Sequence, residues 1–454
     1  MNRVKLRSLW LHLAVASALA WAACAAPQTA PSSNSAQPAA AAASTTPAAA
    51  ATKVPASFSE VHDYLDALVR ERKIAGAAAL VMHGGEQVYV DAVGMRDAEA
   101  GVAMTPDTIF RVCSMSKPIV SVGALMLVEE GRIALDDPVS KYIPAFADMR
   151  VLARSEDGTV EQVPAARPIT IRDLFTHTSG ITYRFLADDQ LYPMYVAAEI
   201  SDGLAEAPGT MADNVARLAK LPLAHQPGER YSYSLSIDVL GHVIEVVSGQ
   251  TLAAFLEERI FAPLGMEDTG FRVSAEDEAR LAAVYRPGAD KLIERLPEGA
   301  VETGKAVHSA SYPLDRDSGF YSGGAGLVST VSDYARFAEM LLGGGERDGV
   351  RILSPETVAM MTSNQLGDLQ VGFALAGDGY GLGIGVTTEA APATVPELHL
   401  GAPGSYSWAG FYQTLFWVDP QNQLVGVVMT QIFPWDHLTL MPDFRARVYA
   451  SLPE

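Results

Sequence analysis

The chain has 454 residues, 49% of them hydrophobic and 19% charged, with a formal net charge of -20 at pH 7. The apolar content supports a substantial core and excludes a disordered chain, and the acidic balance argues against nucleic acid and anionic membrane surfaces as partners. With two cysteines, Cys24 and Cys113, no disulfide framework is expected.

The N-terminus reads as an export signal. Arg3, Lys5 and Arg7 precede an apolar stretch from Leu9 to Ala22 that is short for a stable membrane span. Cys24 stands where a bacterial lipoprotein would carry its lipidated cysteine, although Trp21 replaces the usual Leu. Cleavage after Ala20-Trp21-Ala22 is the alternative. Residues 1–24 are therefore assigned to the signal. Residues 25–56 are almost entirely Ala, Pro, Ser, Thr and Gln, a composition that buries too little apolar surface to fold, and read as a tether. The expected location is the bacterial periplasm, or the cell envelope through a lipid anchor on Cys24.

The folded body is expected over 57–454. Ser57-Phe58-Ser59-Glu60 has the pattern of a capping box, followed by Val61, Leu65, Leu68 and Val69 at helical spacing. Ala77 to Met82 and Gln87 to Val93 read as strands joined by His83-Gly84-Gly85-Glu86, with His83 as a turn residue. Thr108 to Val112 is strand-like and leads into Ser114-Met115-Ser116-Lys117. Pro118 is tolerated in the first turn of the helix that follows, which ends near Glu130 before Gly131. A section from about 136 to 310 reads as a mainly helical lobe, with its clearest helix from Ile237 to Ser248. A glycine-rich run, Ser322-Gly323-Gly324-Ala325-Gly326-Leu327, precedes a helix over Val331 to Leu342. Tyr380 to Thr387, Gly410 to Val418 and Leu424 to Thr430 read as strands, the last two joined by Asp419-Pro420-Gln421-Asn422. A closing helix fits 436 to 451. The order implies an α+β body whose antiparallel sheet is built from both chain ends, with the helical lobe inserted between them.

Ser114 and Lys117 are three residues apart and share a helix face, so their side-chain tips can meet. A serine hydroxyl becomes a nucleophile when a neighbour takes its proton, and a lysine does so when burial or nearby cations lower its pKa. The helix N-terminus at Ser114 also favours developing negative charge. Such a pair needs a further proton carrier for the leaving group. A tyrosine near the lysine serves, because a cation stabilises phenolate. Tyr233, in a loop before a helix, is one candidate among 16 tyrosines.

Five segments in order resolve that choice: Ser114-x-x-Lys117, Asp173 to Ile181, Pro227-Gly228 with Tyr231-Ser232-Tyr233-Ser234, Asp238-Val239-Leu240-Gly241, and Gly323 to Leu327. Over residues 57 to 454 they resemble the serine beta-lactamase and penicillin-binding-protein-like superfamily, within it the class C branch, and most of all the family VIII carboxylesterases. The resemblance implies a beta-lactamase-like fold, Ser114 as nucleophile, Lys117 as its base and Tyr233 as proton shuttle. It matches Trp408-Ala409-Gly410 to the family's Lys-Thr-Gly motif, and so implies an oxyanion hole made by the backbone N–H groups of Ser114 and Phe411. Trp408, Gly410 and Leu235 would contact substrate.

Two departures bear on that substrate. Leu235 stands where the family's Tyr-x-Asn motif carries an amide, and Trp408 stands where it carries a lysine that pairs with a substrate carboxylate. Both changes favour neutral short- to medium-chain esters. A beta-lactamase or D-amino-acid peptidase of the same fold is the alternative, followed by a transacylase or an inactive envelope binding protein. By the resemblance His177 belongs to a structural turn, while Cys113 reads as a small buried residue and Ser116 as a supporting one. No Gly-x-Ser-x-Gly or His-Glu-x-x-His occurs, so neither an α/β-hydrolase elbow nor a metal site is expected, and no cofactor is required.

Overall fold

A computed structural model describes residues 55–154, 159–290, 292–371, 379–389 and 401–452. The expected signal, Cys24 and all but the end of the tether lie outside the described residues.

Among the described residues, the main sheet has strands β1 (Gly76–His83), β2 (Glu86–Asp97), β3 (Val102–Ala103), β4 (Gly379–Tyr380), β5 (Gly385–Val386), β6 (Tyr406–Gly410), β7 (Thr414–Asp419) and β8 (Leu424–Met429). Their order is β4-β5-β6-β7-β8-β1-β2-β3, with every pairing antiparallel. The sheet is therefore assembled from both ends of the chain. Its seam is β1 against β8, where Ala78 faces Met429 and His83 faces Leu424.

Period-2 alternation sends the two faces of these strands into separate cores. Ala77, Ala79 and Val81 of β1 join Leu415, Trp417 and Val428 in one core. Helices α1 (Ser59–Arg70) and α5 (Leu440–Ser451) close this face with Val61, Leu65, Phe444 and Val448. Ala78 and Leu80 join Phe416, Val418, Val425, Val427 and Met429 in the other core. Helices α2 (Ser116–Glu129), α3 (Ser236–Ser248) and α4 (Val331–Leu342) pack into this second core. Gly426 pairs directly with Trp417, and a Cβ at this glycine would overlap the indole ring, so the absence of a side chain makes room for Trp417.

The sequence patterns place most elements within a few residues, and the differences have local causes. The capping box at Ser57 does not form. A 3-10 turn, Ala56–Phe58, runs straight into α1, and Phe58 is buried with its ring stacked on Tyr89 at 5.0 Å. Packing of that ring, rather than a serine cap, sets the helix entry. The strand expected over Gly410 to Val418 is a hairpin: Gly410 ends β6, Phe411-Tyr412-Gln413 turns, and Thr414 begins β7. Gln413 adopts φ 64°, in the left-handed region, which lets the chain reverse within a segment whose many aromatic and β-prone residues read as one strand. The strand expected over Tyr380 to Thr387 breaks into β4 and β5 around Gly383 at φ 85°. The closing helix starts at Leu440, later than expected. The middle section contains α3 and shorter helices such as Ile171–Phe175 and Met211–Leu218, and it also carries small β-hairpins, among them Arg150–Arg154 with Val160–Pro164. It is more mixed than a helical lobe.

Candidate active site

The turn bearing Ser114 is fixed from several sides. Strand Phe110–Arg111 pairs with Val328–Ser329, and Val112 N–H donates to the Leu327 carbonyl at 3.1 Å. Cys113 takes φ 46°, bending the chain into a 3-10 turn, Cys113–Met115, that leads directly into α2. Tyr334 Oη donates to the Met115 carbonyl at 2.7 Å, and Leu327 N–H donates to Ser116 Oγ at 3.0 Å. Ser116 thus braces the glycine-rich run. Cys113 is fully buried and burial pushes its thiol up to about 12, so it stays a neutral thiol.

Helical spacing then brings Lys117 Nζ to 3.2 Å from Ser114 Oγ. Lys117 is 0% exposed. Its Nζ donates to the Gly324 carbonyl at 2.7 Å and sits 4.5 Å above the Tyr233 ring and 5.3 Å from that of Tyr183. Burial lowers its pKa to about 7, with Asp238 and Cys113 pulling the other way. A neutral amine beside the serine is therefore available near neutral pH.

Tyr233 reaches the same point from the loop ahead of α3, where Ser114 and the Trp408 indole both act on its hydroxyl in the direction of a lower pKa. The loop is held by the Thr176 to Gly180 segment. Ser232 N–H donates to the His177 carbonyl at 2.8 Å, and His177 Nδ1 lies 3.0 Å from Ser234 Oγ. Ser236 Oγ bridges Ser234 and Ser179 at 2.8 Å each. His177 is buried with its ring centroid 4.8 Å from that of Tyr233, and burial holds its pKa well below the usual histidine value. It braces the tyrosine loop. Burial also overrides the expected drift of Tyr233 towards phenolate: its pKa is raised although Ser114 and Trp408 act to lower it. At neutral pH Tyr233 is a phenol with a proton to give.

Trp408 is 4% exposed on β6, with its ring 5.6 Å from Tyr233 and 5.1 Å from Tyr380. Its N–H, a donor only, acts on the Tyr233 hydroxyl to lower its pKa. The residue expected to touch substrate thus also supports the tyrosine. Leu235, also expected at the substrate, is 1% exposed within the main core at the entry to α3. Gly410 presses on the turn that bears Ser114, and a Cβ there would overlap the Val112 carbonyl and Thr414 Oγ1. Phe411 follows in the turn. Its ring stacks on Phe433 with centroids 3.8 Å apart, and its carbonyl accepts from Trp435 Nε1 at 3.2 Å.

Tyr183, Tyr380 and the Gly324 carbonyl belong to the site, although motif spacing did not single out their roles. Nothing local distinguishes these tyrosines from the others, and a backbone carbonyl has no sequence signature.

A serine and a buried lysine at the seam of an antiparallel sheet and a helical layer define a serine acyl-transfer enzyme of the beta-lactamase type. The Beta-lactamase family model matches residues 61–450, and the chain belongs to that family. It is 36% identical over 375 residues to Esterase EstB of Burkholderia gladioli, covering 80% of this chain and 88% of the relative. Lovastatin esterase of Penicillium rubens is 29% identical over 402 residues, covering 84% and 94% of the two chains. Among solved structures, EstCE1, described as a hydrolase with promiscuous acyltransferase activity, superposes with a TM-score of 0.74 at 29% identity, over 87% of this chain and 99% of its own. The protein is a beta-lactamase-fold serine hydrolase.

Proposed function

We propose that the protein is a carboxylesterase acting on neutral short- to medium-chain esters through an acyl-enzyme on Ser114. Lys117 Nζ takes the Ser114 proton as Oγ bonds to the ester carbonyl carbon. The resulting oxyanion lies between the backbone N–H groups of Ser114 and Phe411, and loss of one such donor costs roughly 3 kcal/mol in the transition state. Tyr233 gives its proton to the departing alcohol oxygen as the C–O bond breaks and regains one from the Lys117 ammonium. Water then repeats the sequence and frees the acid.

The observation that carries this reading is the fully buried Lys117, 3.2 Å from Ser114 Oγ with its pKa lowered to about 7. The preference for neutral esters rests on Trp408, which by the resemblance stands where the family carries a cation and offers an uncharged N–H that acts on Tyr233. The names of Esterase EstB and lovastatin esterase accord with it.

The test is hydrolysis of p-nitrophenyl esters of increasing acyl length, with nitrocefin alongside. Ester turnover that disappears in S114A, with little nitrocefin turnover, is expected. Full ester activity in S114A would overturn the assignment, and nitrocefin turnover matching the best ester would favour a beta-lactamase. Adding an alcohol acceptor and analysing products separates hydrolysis from the acyl transfer named for EstCE1. Export to the periplasm or envelope, through the signal ending near Cys24, belongs to the same proposal. Fatty-acid labelling that disappears in C24A supports the anchor.

A further inference from the structure

The segment Asp238-Val239-Leu240-Gly241 has no part in the chemistry above, yet Asp238 reaches the same buried network. It is 1% exposed in the first turn of α3. Its Oδ1 accepts from Ser322 Oγ at 2.5 Å and from Gly324 N–H at 3.1 Å. Ser322 Oγ accepts in turn from Ala325 N–H at 3.1 Å. The Gly324–Ala325 peptide is therefore held at both ends: its N–H by Ser322, its C=O by Lys117 Nζ at 2.7 Å. Asp238 Oδ2 is buried without a hydrogen-bond partner. A Cβ on Gly324 would overlap Oδ2, so the carboxylate lies directly against this backbone. Pinning a glycine loop needs only a neutral acceptor. A buried carboxylate with an oxygen left unsatisfied is costly, and a nearby cation offsets that cost.

We propose that Asp238 is a positioning residue for the acyl-transfer reaction. Through Ser322 and the Gly324–Ala325 peptide it fixes the carbonyl that aims Lys117 at Ser114, and its charge compensates the ammonium formed when Lys117 takes the serine proton. This rests on the reading of Ser114 as nucleophile and Lys117 as base.

The groups facing Lys117 are Asp238, Cys113, Ser114 and the rings of Tyr183 and Tyr233, with His177 electrostatically coupled behind them. Burial raises the Asp238 pKa, and Ser322, Lys117 and the Gly324 N–H act against that rise to favour the carboxylate, while Asp202, Tyr183 and Tyr233 also act with it through space. Asp238 holds Lys117 up against the burial that lowers it. Removing the charge lets Lys117 fall further, so the acidic limb of activity moves to lower pH. Removing the Ser322 hydroxyl loosens the carbonyl and leaves the charge in place.

The experiment measures kcat, KM and the pH profile of D238N and S322A on a short-chain p-nitrophenyl ester, with circular dichroism as the folding control. S322A is expected to lose roughly 10- to 100-fold in kcat, the scale of a small misplacement of a reacting group, with KM and the acidic limb unchanged. D238N is expected to move the acidic limb to lower pH. Wild-type kcat in S322A, or an unmoved limb in folded D238N, overturns the proposal. If D238N does not fold, kcat of S322A decides it. Fluorophosphonate labelling of the unsubstituted enzyme separates the two readings: no adduct on Ser114 would overturn the nucleophile assignment itself, and this proposal with it.

Discussion

Lys117 donates to the carbonyl of Gly324 at 2.7 Å, a shorter bond than the 3.2 Å separating it from Ser114 Oγ. The lysine shares a helix face with the serine, but its aim is set by a backbone group 207 residues further on. A side chain with several rotatable bonds needs such a second anchor to keep its nitrogen on a hydroxyl.

The state of Lys117 makes pH the first test. As the proposed base Lys117 works as the neutral amine, and burial lowers its pKa to about 7. Its charged form gains as pH falls, so kcat/KM on a non-ionising ester should rise with pH through about 7 and level off above it. K117R keeps a permanent charge and cannot accept the proton, so activity should fall roughly 10²- to 10⁴-fold at every pH. A pH-stat assay across the neutral range reads both outcomes.

Trp408 should matter through its N–H. Trp408→Phe keeps a ring against Tyr233 and Tyr380 but removes the indole N–H that acts on the Tyr233 hydroxyl. An interaction worth about 1 kcal/mol corresponds to a roughly 5-fold loss. It should appear in kcat more than in KM, because Tyr233 transfers its proton in the transition state. Steady-state kinetics on one ester is sufficient.

Gly410 joins the sheet to the turn that bears Ser114. In Gly410→Ala the new methyl meets the Val112 carbonyl and Thr414 Oγ1, so β6 or the turn must move. Overpacking of this kind costs about 1–3 kcal/mol. Thermal unfolding should show the loss of stability, and kcat should fall with it, since Phe411 follows directly and Ser114 lies two residues beyond Val112.

Gly426→Ala is the contrasting case. Its methyl meets the Trp417 ring in the core between the sheet and helices α1 and α5, on the face opposite α2. The expected destabilisation is of similar size, about 1–3 kcal/mol. The folded fraction should keep its kcat, because Trp417 points away from the core that holds Ser114's helix.

Hydrophobic period was a good guide where one face of an element meets one core. Helix α4 begins at Val331 and ends at Leu342, as its spacing implies, with Thr330 Oγ1 accepting from Asp333 N–H at its start. Helix α3 stops at Gly249, which takes φ 77°. The signal failed where both faces are buried. From Gly410 to Val418 only Gln413-Thr414 interrupts the apolar residues, and the reversal at Phe411-Tyr412-Gln413 contains neither glycine nor proline to mark it. It failed again at Phe58, where contact with Tyr89, distant in sequence, replaced a local cap.

The amino-acid sequence by itself determined that Ser114 and Lys117 stand three residues apart at the start of a helix, within side-chain reach of each other. It also supplied the order of motifs that ties the chain to its family. Tertiary structure decided the protonation and aim of those groups. Desolvation lowers Lys117 and raises Tyr233 only once several layers of chain close over them, and the Gly324 carbonyl, the Trp408 N–H and the Asp238 carboxylate arrive from segments far apart. Burial and long-range hydrogen bonding depend on three-dimensional proximity, which local spacing does not encode.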